Sequence, residues 1–156
     1  MTHRSVAGSV ALITGAGSGM GAATAQVFAA EGAQVALTDL KLETVAPIAQ
    51  SLREQGFAAE AWAMDVSDPE AIRTVVDTIA VHFGRLDIVV NNAGISAFSP
   101  IDSEDYDDIW ARALSVLLTA HQRTIRAALP YLRQSPAGRI VNIASTEALG
   151  ATSRDS

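Results

Sequence analysis

Ser9-Val10-Ala11-Leu12-Ile13, then Thr14-Gly15-Ala16-Gly17-Ser18-Gly19-Met20-Gly21, then an alanine-rich run up to Ala30: this succession decides how the chain is read. The aliphatic run suits a buried strand, and residues 21–31 are good helix formers closed by Gly32. The glycines between them let the backbone turn tightly and approach a ligand closely. First-turn N–H groups of the helix lack intrahelical partners and lie at the positive end of its dipole, where an anion such as a pyrophosphate can sit. A dinucleotide site is therefore expected, beside the plainer reading that small residues only pack a helix closely on a sheet.

Outward from that stretch, apolar strand-like runs alternate with helix-like ones, which predicts a parallel sheet covered by helices on both faces. A second strand is expected over 34–38, ending at Asp39, and a helix over 42–55 closed by Gly56. Pro47 lies awkwardly inside that helix and predicts a late start or a kink. The third strand is expected over 59–64. Asp68 is the expected N-cap of a third helix, with Pro69 at its first position and Gly84 after its end at Phe83. A fourth strand over 86–90 leads into Asn91-Asn92-Ala93-Gly94. A long helix over 105–133 and a fifth strand over 139–143 follow. On the long helix, Ile109, Ala113, Val116, Leu117, Ala120 and Ala128 form one apolar stripe and Leu114, Leu118, Ile125, Leu129 and Leu132 a second. So wide an apolar surface predicts burial on two sides.

One domain over residues 1–156 is expected, since 49% of the residues are hydrophobic and can build a sizeable core. The absence of Cys excludes disulfides, thiolate-zinc sites and a cysteine nucleophile, and no metal site is expected. No stretch approaches the roughly 20 apolar residues of a membrane span, so a cytoplasmic protein without a membrane partner is expected. The formal charge of −6, with Lys and Arg scattered singly, argues against nucleic acid as a partner.

Four features stand in one order: the glycine turn at 14–21, Asp39 closing the second strand, Asp65-Val66 after the third, and Asn91-Asn92-Ala93-Gly94 after the fourth. Together they resemble the short-chain dehydrogenase/reductase family, and the resemblance runs from Ser9 through Asn142-Ile143-Ala144-Ser145. It implies a doubly wound, Rossmann-like parallel sheet in three α/β/α layers, here incomplete at its C-terminal end. Ligands in such a fold sit beyond the carboxyl ends of the strands, where all four features fall. The implied activity is NAD(P)-dependent hydride transfer between a small-molecule alcohol and a ketone.

The cofactor set that follows comprises Gly15, Ser18, Gly19, Met20 and Gly21 in the turn, Asp39 and Leu40 after the second strand, Asp65 and Val66, and Asn92, Ala93 and Gly94. A carboxylate closing the second strand can accept hydrogen bonds from the adenosine-ribose hydroxyls and repels a 2′-phosphate, which favours NAD over NADP. The alternatives are an N-cap or a solvated turn at Asp39, and a cation at Lys41 that meets a phosphate. The resemblance implies that Asp65 bonds the adenine amino group, with the Val66 backbone beside it. It also implies that Ala93 and Gly94 lie against the cofactor ribose while an Asn ties this turn to the first strand near Thr14. Asn91 and Asn92 are both open for that tie.

At the catalytic residues the resemblance fails. The family uses a Tyr as general acid/base, lowered in pKa by Lys in a Tyr-x-x-x-Lys pattern, a Ser that orients the carbonyl and an Asn on the long helix. Ser145 matches the Ser. Counting from Trp110, the Asn position holds Leu117, and the sequence reaches Ser156 without the Tyr-x-x-x-Lys. Tyr106 and Tyr131 are not followed by Lys at that spacing, and His3, His82 and His121 offer no substitute base. Two readings follow: the N-terminal part of a dehydrogenase, without turnover by itself, or a non-catalytic nucleotide-binding or assembly module. The second stripe of the long helix and an uncovered fifth strand predict a homo-oligomer.

Overall fold

The structure, a computed structural model, describes residues 5–145. Strands and helices alternate as β1 (Val10–Thr14), α1 (Gly19–Ala30), β2 (Gln34–Asp39), α2 (Leu42–Glu54), β3 (Ala59–Ala63), α3 (Pro69–Phe83) and β4 (Ile88–Asn91). Beyond β4 come α4 (Tyr106–Leu114), a π turn (Ser115–Thr119), α5 (Ala120–Leu132) and β5 (Arg139–Asn142). The sheet has the order β3-β2-β1-β4-β5, and every pairing is parallel. The chain winds outward from β1 to β3 and then crosses back to β4, so the winding reverses between β1 and β4. A crevice opens at such a point, beyond the carboxyl ends of the strands.

Side chains of period two feed two cores. Ala11, Ile13, Val35 and Leu37 pack with Ala25 and Ala29 of α1 and Val45, Ala49 and Leu52 of α2. Val10, Leu12, Ala36 and Val89 pack on the other face with Ile72, Val76 and Ile79 of α3 and Val116, Ala120, Ala128 and Leu132 of the π turn and α5. The result is the three-layer, doubly wound arrangement expected from the sequence.

Element ends follow local chemistry. Asp68 Oδ1 accepts the N–H groups of Glu70 (2.8 Å) and Ala71 (3.3 Å), Pro69 starts α3, and Gly84 ends it at φ 74°. Gly56, at φ 90°, closes α2, and the Phe57 N–H returns to Leu52 O at 3.0 Å. The expected late start of α2 does not occur: the helix begins at Leu42 and takes Pro47 into its second turn.

The long helix departs most from expectation. It is interrupted by the π turn, whose wider i to i+5 closure admits an extra residue and shifts the periodicity. The buried line becomes Val116, Ala120, Thr124, Ala128 and Leu132. Leu117, expected on the first apolar stripe, is 43% exposed, and Leu132 of the second stripe is buried. Leu114 and Leu118 do face outward, while Ile125 and Leu129 are half-buried. β5 is an edge strand among the described residues, with Ile140 and Val141 exposed. None of the described helices is long and apolar enough to cross a membrane.

At the amino ends of β1 and β4, Asp87 is almost wholly buried. Its Oδ2 accepts the Val10 N–H at 2.9 Å, and both carboxylate oxygens accept from the Arg85 guanidinium at 2.7 Å. Burial alone raises its pKa. The hydrogen bonds from Arg85, Ser135 and Val10 outweigh burial and leave the carboxyl below its ordinary range.

Candidate functional site

The turn after β1 is shaped by contacts that leave no room for side chains. Gly15 sits at φ 63°, and a Cβ there would lie 2.7 Å from Ala93 Cα, so the turn presses on the loop after β4. Gly17 donates its N–H to Asp39 Oδ2 at 2.8 Å, and a Cβ on Gly17 would lie 2.7 Å from that same oxygen. Asp39 Oδ1 accepts from the Leu40 N–H, also at 2.8 Å. Asp39 thus holds the turn to the end of β2, and each carboxylate oxygen keeps acceptor capacity beyond its one backbone donor. The Ser18 side chain makes no capping bond, so it leaves the first-turn N–H groups of α1 without a side-chain acceptor from the N-cap.

The loop after β4 assigns the two asparagines different work. Asn92 Nδ2 donates to Thr14 O (2.9 Å) and Gly15 O (3.1 Å), while Thr14 Oγ1 accepts the N–H groups of Asn92 and Ala93, each at 3.0 Å. Asn91 Nδ2 instead donates to Asn142 Oδ1 at 2.8 Å and ties β4 to β5. The tie to β1 therefore belongs to Asn92.

These pieces enclose a cleft of about 560 Å³ at the reversal between β1 and β4. Of the turn residues, Gly15, Ser18, Gly19 and Met20 line it. Asp39 and Leu40 enter from β2, Asp65 and Val66 from the end of β3, and Asn92, Ala93 and Gly94 from the loop after β4. Gly21, also predicted to bind cofactor, is not among the lining residues. A Cβ there would lie 2.2 Å from Gly15 O and 2.6 Å from Asn92 Nδ2, so its bare backbone lets α1 close against the turn. Asp65 Oδ1 accepts from the N–H and the hydroxyl of Ser67 at 2.8 and 2.7 Å, which fixes the loop in which it stands. Met64, Ser67, Ile95, Arg112 and Val116 complete the lining and were not singled out from the sequence. Their only sequence signal was proximity to the motifs, except for Arg112 and Val116, which tertiary packing brings in.

Ser145 lies outside this cleft. It lines an adjoining hollow of about 480 Å³ with Leu117, Tyr106, Trp110 and Ile95, and Ile95 borders both spaces. The Leu117 side chain reaches the Gly94 backbone, 3.4 Å from where a Cβ would stand. Tyr106 stacks on Trp110. The Tyr131 hydroxyl donates to Asp77 Oδ1 at 2.8 Å, and that bond, with lesser help from burial and the Asp77 charge, raises its pKa. A Tyr so held gives up its proton less readily than an ordinary one. His82 packs edge-on with Trp62 and Phe83, burial lowers the pKa of His121, and His3 lies outside the described residues. The described residues hold no cluster of His, Cys, Asp and Glu suited to a metal ion.

The family model described as short chain dehydrogenase matches residues 9–154. The chain belongs to the short-chain dehydrogenase family. Among its relatives, this short-chain dehydrogenase chain is 41% identical over 140 residues to the uncharacterized oxidoreductase YxjF of Bacillus subtilis, covering 90% of this chain and 54% of that protein. It is 40% identical over 141 residues to meso-2,3-butanediol dehydrogenase of Serratia marcescens, covering 90% and 55%. Among solved structures, an NAD+-bound xylitol dehydrogenase superposes with a TM-score of 0.86 at 36% identity, covering 94% of this chain and 56% of that one. A short chain dehydrogenase from Mycobacterium smegmatis gives 0.88 at 36%, covering 95% and 62%. The chain thus spans about half the length of the curated relatives it matches. The relatives are oxidoreductases of the short-chain dehydrogenase family, and the parallel sheet with its flanking helices is theirs too.

Proposed function

We propose that this chain is the cofactor-holding part of an NAD-linked dehydrogenase that moves hydride between a small alcohol and a ketone. The observation that carries the reading is Asp39, a carboxylate on the cleft wall at the end of β2, bonded to Gly17 of the glycine turn and still able to accept from ribose hydroxyls. A 2′-phosphate in the same place meets a like charge. The glycine turn and the uncapped start of α1 suit the diphosphate, and the loop 92–94 suits the ribose on the β4 side. Asp65, on the lining of the same cleft, supports the reading as an acceptor for the base. The NAD+-bound xylitol dehydrogenase supports the same choice of cofactor.

Hydride transfer also needs a group to take the alcohol proton. Ser145 serves as the orienting hydroxyl in this reading, and Leu117 has no proton to relay. The 156-residue chain by itself therefore binds cofactor without turnover. Calorimetric titration should find NADH bound about tenfold more tightly than NADPH, with the gap narrowed by Asp39→Ala; tenfold corresponds to about 1.4 kcal/mol. Tighter binding of NADPH to the unaltered chain overturns the assignment. In the same preparation, NAD+ with a panel of secondary alcohols should yield no NADH, and turnover that disappears in Ser145→Ala would contradict the expected inactivity.

The exposed Leu114 and Leu118 and the edge strand β5 support a homo-oligomer. Light scattering at micromolar concentration should give a mass above that of one chain, reduced by Leu118→Glu. A monodisperse monomer at that concentration overturns the assembly.

A further inference from the structure

The two walls of the cleft come from opposite layers of the sandwich. α1 packs on one face of the sheet and presents backbone N–H groups at the rim. From the other face, α4 and the π turn bring Arg112 and, one turn later, Val116. Arg112 is the one Lys or Arg on the cleft lining, where the charged side chains besides it are Asp39 and Asp65. It also borders a smaller hollow with Ile95, Phe98 and Ile109, and it forms no ion pair among the described residues.

A dinucleotide diphosphate carries two negative charges, whereas a helix N-terminus supplies the equivalent of roughly half a positive one. The turn at 14–21 contains no Lys or Arg to make up the difference. We infer that Arg112 is a cofactor-binding contact that meets the cofactor diphosphate from the α4 wall of the cleft, whose lining it shares with Ser18 and Gly19 at the start of α1. A guanidinium presents paired donors to phosphate oxygens, which a backbone N–H cradle on one side leaves unsatisfied on the other. The inference rests on the dinucleotide reading above and adds to it a charged contact outside the four motifs. It adds recognition of the phosphates to that of the ribose and base.

The test compares the unaltered 156-residue chain with Arg112→Ala and Arg112→Lys by calorimetric titration of adenosine, ADP and NADH. Arg112 makes no side-chain bond to another described residue, so thermal melting should be unchanged and serves as the folding control. Arg112→Ala should bind ADP and NADH about tenfold or more weakly, with adenosine unaffected. Arg112→Lys should recover part of the loss, because it keeps the charge without the fork. Added salt should weaken ADP binding to the unaltered chain more than to Arg112→Ala. Equal affinities of the unaltered chain and Arg112→Ala for ADP overturn the inference. Proportionate losses for adenosine and ADP also overturn it, since they place the guanidinium on the base. If the unaltered chain binds neither ADP nor NADH, the dinucleotide reading itself fails, which is distinct from a failure confined to Arg112.

Discussion

Gly21→Ala should destabilise the chain by at least about 2 kcal/mol and abolish NADH binding at concentrations that saturate the unaltered protein. Overpacking in a well-filled interior costs typically 1–3 kcal/mol, and this site has little freedom to yield. The new Cβ would stand 2.2 Å from Gly15 O and 2.8 Å from the Gly15 carbonyl carbon, both backbone atoms. It would also stand 2.6 Å from Asn92 Nδ2, the group that clasps Thr14 O and Gly15 O. Either α1 must lift from the turn or the clasp between β1 and β4 must open, and both changes deform the cleft. Gly19→Ala is the control: Gly19 has φ 51° but nothing within 4 Å of a Cβ, so the change costs only left-handed strain, about 1–2 kcal/mol. Denaturant unfolding should rank Gly21→Ala below Gly19→Ala in stability. The reverse order would show that the turn, and not its contact with α1, limits what this segment tolerates.

The second large effect lies at the opposite end of the sheet. Asp87→Ala should cost about 1–3 kcal/mol. The greater part comes from the buried Val10 N–H, which loses its acceptor, at about 1–3 kcal/mol for an unsatisfied buried donor. Arg85 adds little, because its side chain is 45% exposed and rehydrates once the carboxylate is gone. The same carboxyl carries a pH signature. Its pKa in the folded chain lies below the unfolded value, so its stabilisation is fully present above the ordinary aspartate pKa of about 3.9 and is lost as pH falls through the lower folded value. Acid unfolding of the unaltered chain should therefore steepen below about pH 4. Asp87→Ala should remove that part of the pH dependence. A shift under about 0.5 kcal/mol at neutral pH would mean that the Val10 N–H finds another acceptor.

Strand and helix identity, parallel winding and the location of the cleft were legible in the sequence by itself. Each rests on local chemistry: aliphatic runs of strand length, Asp68 and Pro69 at a helix start, Gly84 and Gly56 past helix ends, and glycines where the chain must turn. Because all four motifs follow strands, a parallel sheet brings them to one edge whatever the details of packing, and eleven of the twelve expected cofactor residues line the cleft. What tertiary structure alone decided was the work each residue does. Asn91 and Asn92 are equivalent in composition, and only partners far along the chain, Asn142 for one and Thr14 for the other, distinguish them. Gly21, expected among the cofactor residues, is packed against Gly15 across the turn and lies off the cleft lining. Leu117 was misplaced by regular helical periodicity, since a π turn shifts the faces through hydrogen bonding that no side-chain pattern announces. Arg112 escaped notice because a cation on a polar helix face looks like any solvated charge until the fold brings α4 to the cleft, where Arg112 joins the lining.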